Sequence, residues 1–242
     1  MSHRFYLPDL RAPVLTGAEA RHARQVLRLR PGDELTVFDG RGHEARCRLG
    51  DAGRLEILHH TTTPPLPCRV TLAQAITKKH MDWIIQKATE LGVAAIVPLV
   101  TDRTIVRTAK PDRWREIALE ACKQSGNNWL PEITPPATVA DVVTGRFDLK
   151  LIAALTPGSV PLKQAVCSRR FQPAPAERAL KGAGTDARVL LLIGPEGDFT
   201  PAEVARAQAA GCVPVSLGPL TLRAETAALY ALSVLHHELQ TG

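Results

Sequence analysis

Arg188-Val-Leu-Leu-Leu-Ile-Gly-Pro-Glu-Gly197, then Val213-Pro-Val-Ser-Leu-Gly218, then Thr221-Leu-Arg-Ala-Glu-Thr-Ala-Ala-Leu229 is the segment that carries the architecture. Val189–Ile193 is a continuous apolar run with the length of a buried strand. Gly194 ends it and Gly197 follows, and glycine lets backbone groups come close to a ligand. Thr200, Pro201 and Glu203 then stand at N-cap, N1 and N3 of a helix, a capping box with proline in its preferred place. Gly211 stops that helix. A second apolar strand, 212–217, ends at Gly218, and a last helix runs over 224–239. Ligands of parallel α/β sheets bind where loops leave the carboxyl ends of strands. Two glycine turns flanked by Glu196, Arg223, Glu225 and Thr226 therefore read either as a pocket edge or as plain tight turns.

Outward from this segment the chain keeps alternating. Arg69–Ile76, Ala94–Val100 and Lys150–Leu155 read as strands. Lys79–Leu91, with Trp83, Ile84, Ala88 and Leu91 inward, and Pro111–Gln124, with Trp114, Ile117, Ala118 and Ala121 inward, read as helices. Such alternation predicts a mostly parallel sheet. Lys78, Lys79 and His80 follow one strand and Arg103 and Arg107 another, on the same edge as the glycine turns. Residues 171–187, rich in Pro, Ala and Gly, read as a loop.

Thr61-Thr-Thr-Pro-Pro-Leu-Pro67 is a stiff linker, since its prolines resist both helix and central strand. It divides the chain into 1–67 and 68–242. The first part reads as a β-rich module, a small barrel with one helix. Thr16 and Glu19 spell a capping box for a helix to Leu29, with Ala23, Val26 and Leu27 inward. Strands follow at Glu34–Phe38, His43–Leu49 and Arg54–His59, the first two joined by a turn at Asp39–Gly42. Arg21, His22, Arg24 and Arg28 line the other face of the helix, with Arg30 just beyond it. They form either a solvated face or a phosphate-contacting surface, to which arginine is suited.

Composition narrows the function. Net charge is +6 in 242 residues, a small and scattered excess that weakly favours a polyanionic partner. Aromatic residues are only 4%, which argues against RNA binding by rows of stacked rings. Five cysteines at scattered positions suggest neither a disulfide framework nor a zinc site, and Cys47, Cys122 and Cys212 read as core residues. No metal and no membrane partner is expected, and the chain reads as cytoplasmic. Phosphate-binding glycine loops and a nucleophile elbow are missing. The adjacent histidines at 59–60 and 236–237 read as surface residues.

Leu191-Leu-Ile-Gly-Pro-Glu-Gly197, Leu217-Gly-Pro219 and Leu222-Arg-Ala-Glu-Thr-Ala227 closely resemble the RsmE family of the SPOUT superfamily. His22 to Gly42, Gln86 to Val93 and Glu120 to Glu132 are similar to its other landmarks, so the resemblance spans the chain. It implies a small N-terminal PUA-like β-barrel domain and a C-terminal α/β domain tied in a deep trefoil knot. It implies S-adenosylmethionine as cofactor, a homodimer, and N3-methylation of a specific uridine in 16S rRNA of the small ribosomal subunit. Leu155, Ile193, Gly194, Glu196, Gly197, Leu217, Gly218, Leu222 and Thr226 would line the cofactor site. Arg223 would stabilise charge on the uracil, and Glu225 or Glu196 would take its proton or orient Arg223. The alternative for Arg223 and Glu225 is a structural ion pair at a helix start. RNA contacts would come from Arg4, Arg21, Arg24, Arg28, Arg30, Lys78, Lys79 and Arg103. The chain departs from the family pattern at Asp198, often glycine, at Leu220-Thr221, and at Asn127-Asn-Trp129, where a basic stretch is usual. The rival function is a non-enzymatic RNA-binding ribosome-assembly factor, which needs no cofactor pocket. An α/β enzyme acting on a small nucleotide is argued against by the missing phosphate loops.

Overall fold

The computed structural model describes residues 3–106, 108–167 and 187–240. Arg107 and all but the last residue of the expected loop 171–187 lie outside them. Two compact units emerge, one of residues 1–65 with 119–130, the other of 66–118 with 131–242. A single break in the proline linker does not provide for the return of 119–130 to the first unit.

In the first unit, β1 (Arg4–Tyr6), β2 (Glu34–Phe38), β3 (His43–Leu49) and β4 (Leu55–Thr62) form one sheet in chain order. β1 runs parallel to β2, and the β2–β3 and β3–β4 pairs are antiparallel. Among the described residues β4 does not pair back onto β1, so the sheet is open where a closed barrel was expected. Its core gathers Phe5, Leu35, Val37, Ala45, Cys47 and Leu55 with Ala23 from the helical segment.

That helical segment differs from its sequence reading. α1 spans only Gly17–Arg21 and passes into a π-helical turn over His22–Val26. Thr16 makes no side-chain cap: Gly17, the first helical residue, sits at φ 56°, and the Glu19 carboxylate that would complete the box accepts instead from Lys123 Nζ at 2.6 Å. Arg28 sits at φ 55°, which rules out a helix continuing to Leu29. Val26, expected inward, is 66% exposed, since the π turn rotates it off the buried stripe.

Asn127-Asn-Trp129 is an internal peg of this unit. Asn128 is buried and donates to Glu44 Oε2 and Thr63 Oγ1. Trp129 Nε1 donates to the Thr63 carbonyl, and its ring lies against Gly42, where a Cβ would come within 2.5 Å of it.

In the second unit, β5 (Cys68–Ala75), β6 (Ala95–Leu99), β7 (Glu132–Ile133), β8 (Leu149–Ala153), β9 (Val160–Pro161), β10 (Ala187–Ile193) and β11 (Val213–Ser216) make a seven-stranded sheet. Its order is β7-β6-β5-β10-β8-β11-β9, and every pair is parallel. The unit's helices are α2 (Met81–Glu90), the first part of α3 (Pro111–Ser125), whose residues from 119 belong to the first unit, α4 (Val139–Val143), α5 (Leu162–Cys167), α6 (Pro201–Ala209) and α7 (Ala224–Gln240). α4 and α6 cover one face, burying Ala73, Ala75, Ile152, Leu190 and Leu192. The alternate residues point to the other face, where α7 packs on β5, β10 and α2. On α2, Ile84 and Ala88 are buried as expected, but Trp83 is 43% exposed.

The capping box of α6 forms. Thr200 Oγ1 accepts from Glu203 N, Glu203 Oε2 accepts from Thr200 N, and Pro201 opens the first turn. Cys122, Cys47 and Cys212 are buried, and burial pushes their thiols up to about 12, 11 and 11, as inert core residues. Among the described residues no helix is long and apolar enough to cross a membrane.

Candidate cofactor pocket and RNA-facing residues

The parallel sheet brings three turns to one edge. The chain leaves β8 at Ala154-Leu155, β10 at Gly194–Asp198 and β11 at Leu217-Gly218, and it enters α7 at Leu222–Ala224. These segments line an open cavity of about 270 Å³. The expected residues Leu155, Ile193, Gly194, Glu196, Leu217, Gly218 and Leu222 line it. Gly197 and Thr226 do not, and the Gly197 carbonyl accepts a hydrogen bond from Arg103.

Register explains the floor. Val215 is paired with Ala153, Ala153 with Ile193, and Ile193 with Gln74, so the four form one row across β11, β8, β10 and β5. Partners in such a row point to the same face. Three of them line the cavity. The fourth, Gln74, is fully buried, donates from Nε2 to the Ala75 carbonyl, and leaves Oε1 without a partner among the described residues. Its place inside an apolar strand hides it from pattern reading, and only strand pairing brings it to the row.

The wall from β10 is a tight turn. Asp198 N donates to the Pro195 carbonyl, and Asp198 Oδ1 accepts from Phe199 N at 2.7 Å. Asp198 has φ 62°, in the left-handed region that glycine enters freely and aspartate tolerates better than most residues. This accounts for an aspartate where the family often has glycine. Gly194 is crowded, for a Cβ there would sit 3.2 Å from the Phe199 ring. Gly218, at φ 125°, holds a backbone closed to ordinary side chains. Of the departing pair Leu220-Thr221, both residues line the cavity, and Leu220 is 74% exposed.

Arg223 stands in the lining and is exposed. Glu225 does not line the cavity, and its carboxylate lies 3.9 Å from His80 Nε2. No Arg223–Glu225 ion pair forms among the described residues, so the structural alternative for these two is not what the chain builds. Spacing gave no sign of the His80 contact, because it joins the loop after β5 to α7.

The basic residues separate into three groups. Arg21, Arg24, Arg28 and Arg30 are exposed and have no ion pair among the described residues. Arg4 is apart from them: its guanidinium donates to Glu44 at 2.8 Å and Asn128 at 2.6 Å and stacks over Phe38. In the second unit, Lys78 and Lys79 are exposed in the loop after β5, and Arg103 is engaged with the β10 turn.

Comparison with known proteins fits this geometry. Residues 64–236 match the model of an RNA methyltransferase domain, and residues 15–58 match an RNA methyltransferase PUA domain. Ribosomal RNA small subunit methyltransferase E of Synechocystis is 37% identical, covering 94% of this chain and 74% of that protein. Its Bacillus subtilis counterpart is 32% identical over 93% of this chain and 90% of that protein.

The chain belongs to the RsmE family.

The family's Neisseria gonorrhoeae structure, bound to S-adenosyl methionine, superposes with a TM-score of 0.80 at 33% identity and covers 98% of both chains. A structure from Legionella pneumophila in complex with bound cofactor SAM gives 0.82 at 32% identity, again covering 98% of both. This RsmE-family chain is therefore a methyltransferase with an α/β domain of parallel sheet and a PUA-like domain.

Proposed function

We propose that this protein methylates N3 of a specific uridine in 16S rRNA of the small ribosomal subunit, using S-adenosylmethionine held in the glycine-lined cavity. The observation that carries the reading is the convergence of the β8, β10 and β11 turns with the start of α7 on one cavity, in a chain of this family. The residues suit the cofactor. Ala153, Ile193, Val215, Leu217 and Leu222 offer apolar walls for a flat base, and the turns at Gly194 and Gly218 offer backbone hydrogen-bonding groups.

When bound, the cofactor supplies a methyl group on a sulfonium. The protein's own residues then act by position and charge. Uridine N3 carries a proton and attacks only as that proton leaves. Arg223 would stabilise the negative charge spreading onto the uracil carbonyl oxygens. Glu196, in the same lining, would accept the proton. Glu225 fits this role less well, being turned toward His80.

Two finer points belong to the same reading. We take the last strands and helix of the second unit to be tied in a trefoil knot; in favour of this, β8 lies between β10 and β11 in the sheet. We take the enzyme to be a homodimer, for which half-exposed Trp83 and Tyr230 on the packed helices α2 and α7 speak. RNA would be gripped through phosphates by the arginine face of the first unit, with Lys78 and Lys79 nearer the cavity edge of their own unit. An assembly factor without catalysis would leave the cavity without a purpose.

The test is calorimetric titration with S-adenosylmethionine, followed by mass spectrometry of rRNA from small subunits treated with the protein. A bound cofactor and one added methyl on a uridine N3 are expected. Failure to bind the cofactor overturns the proposal.

A further inference from the structure

Arg103 reads from sequence as an RNA contact, a cation in a loop at the carboxyl edge of the sheet. Its geometry serves another purpose. Nη1 donates to the Gly197 carbonyl at 2.6 Å and approaches the Phe199 carbonyl at 3.5 Å. The side-chain stem runs along the open face of Gly197, its Cδ and Cβ 3.5 and 3.7 Å from where a Cβ would stand. The loop bearing it is itself fixed. Thr101 and Thr104 are buried and bonded to each other through Thr101 N to Thr104 Oγ1 and Thr104 N to the Thr101 carbonyl. Asp102 N donates to Glu203 Oε1 at 3.0 Å, and Thr200 Oγ1 donates to Asp102 Oδ2 at 3.2 Å. One loop thus holds both the glycine turn and the start of α6.

We propose that Arg103 is a positioning residue for the cofactor: a latch from the loop after β6 that keeps the 194–199 turn in its binding shape. The proposal rests on the cofactor reading of the cavity. The turn carries a left-handed Asp198, and its Gly197 and Phe199 carbonyls meet Arg103, so without that partner it would sample other shapes. Holding it in the bound shape before the ligand arrives removes an ordering cost from binding. Arginine suits the task, since its planar fork reaches neighbouring carbonyls from one anchored stem, whereas lysine offers a single point charge.

The experiment uses the full chain and two variants, Arg103→Met and Arg103→Lys. Each is titrated with S-adenosylmethionine by calorimetry and with small-subunit rRNA over a range of salt. The latch predicts cofactor binding about tenfold weaker in Arg103→Met, with partial recovery in Arg103→Lys. RNA affinity and its salt slope should match wild type, and amide exchange over 196–199 should quicken in the cofactor-free variant. Unchanged cofactor affinity in Arg103→Met overturns the latch. If RNA affinity also falls, with a salt slope shallower by about one, Arg103 is a phosphate contact instead. Should Arg103→Met not fold, Arg103→Lys decides: weakened cofactor binding with full RNA affinity supports the latch, and the reverse overturns it. A wild-type protein that binds no cofactor would overturn the cavity reading itself, an outcome separable from any difference between variants.

Discussion

Thr16-Gly-Ala-Glu19 and Thr200-Pro-Ala-Glu203 differ at one position, yet only the second closes into a capping box. At Thr200 proline sets the first helical residue, and Glu203 is buried with Asp102 N as a further donor. At Thr16 the first helical residue is Gly17 at φ 56°, and Glu19 has a cation within reach. The same letters specify a cap only when the residue between them fixes the backbone and nothing nearby competes for the carboxylate. The two regions also divide the chemistry. The stretch before Thr200 lines a cavity, and the stretch after Thr16 presents cations to solvent.

Variants put this contrast to the test. The largest effect is expected at the cavity, where Arg223→Ala should lower methyl transfer at least ~100-fold while cofactor affinity changes less than about threefold. Single-turnover kinetics beside calorimetry measure both, and a variant that still turns over normally removes Arg223 from the mechanism. Next comes the cationic face. Reversing Arg24 and Arg28 to glutamate together should weaken rRNA binding ~10-fold or more at moderate salt and flatten its salt dependence, as filter binding would show.

Smaller effects concern the caps. Glu203→Ala removes a cap partner and leaves the Asp102 and Thr200 amides unmet, so urea unfolding should report a loss of about 2 kcal/mol. Thr16→Ala should change stability by less than about 0.5 kcal/mol, because no cap bond is lost. A Thr16 variant as damaging as Glu203→Ala would erase the contrast. Glu19→Gln should cost about 1 kcal/mol by breaking its pair with Lys123, both side chains being mostly buried. Burial works against the Lys123 charge, but the hydrogen bonds it donates to Glu120 and Glu19 prevail and raise its pKa above the ordinary 10.5. A raised folded value means the pair's contribution is complete below pH 10.5 and disappears as pH climbs through that value. The gap between wild type and Glu19→Gln should therefore close in strong alkali.

Much of the second unit was legible because its signals are local. Val189–Ile193 is too apolar to be anything but buried, and Thr200, Pro201, Glu203 and Gly211 bracket α6 without help from afar. The cavity lining followed from the same stretch, with seven of nine expected residues in place. Gly197 escaped because a glycine's letter does not say which way its carbonyl turns. Glu225 and Gln74 escaped because their surroundings are set by strand order, which no window of sequence contains. In the first unit the π turn at His22–Val26 defeated a periodicity argument that assumes 3.6 residues per turn. From sequence Asn127-Asn-Trp129 reads only as a missing basic patch, although its amide and indole groups serve inner hydrogen bonds.

The placement of β10 between β5 and β8 has a cost during synthesis. Cys68 pairs with Ala187, so the centre of the sheet is the part the ribosome delivers late. Until it arrives, β5 and β8 each keep an unpaired flank of sticky backbone, and contacts so distant along the chain form slowly. A nascent enzyme built this way should lean on chaperones, and a slow refolding phase should track the docking of that one strand.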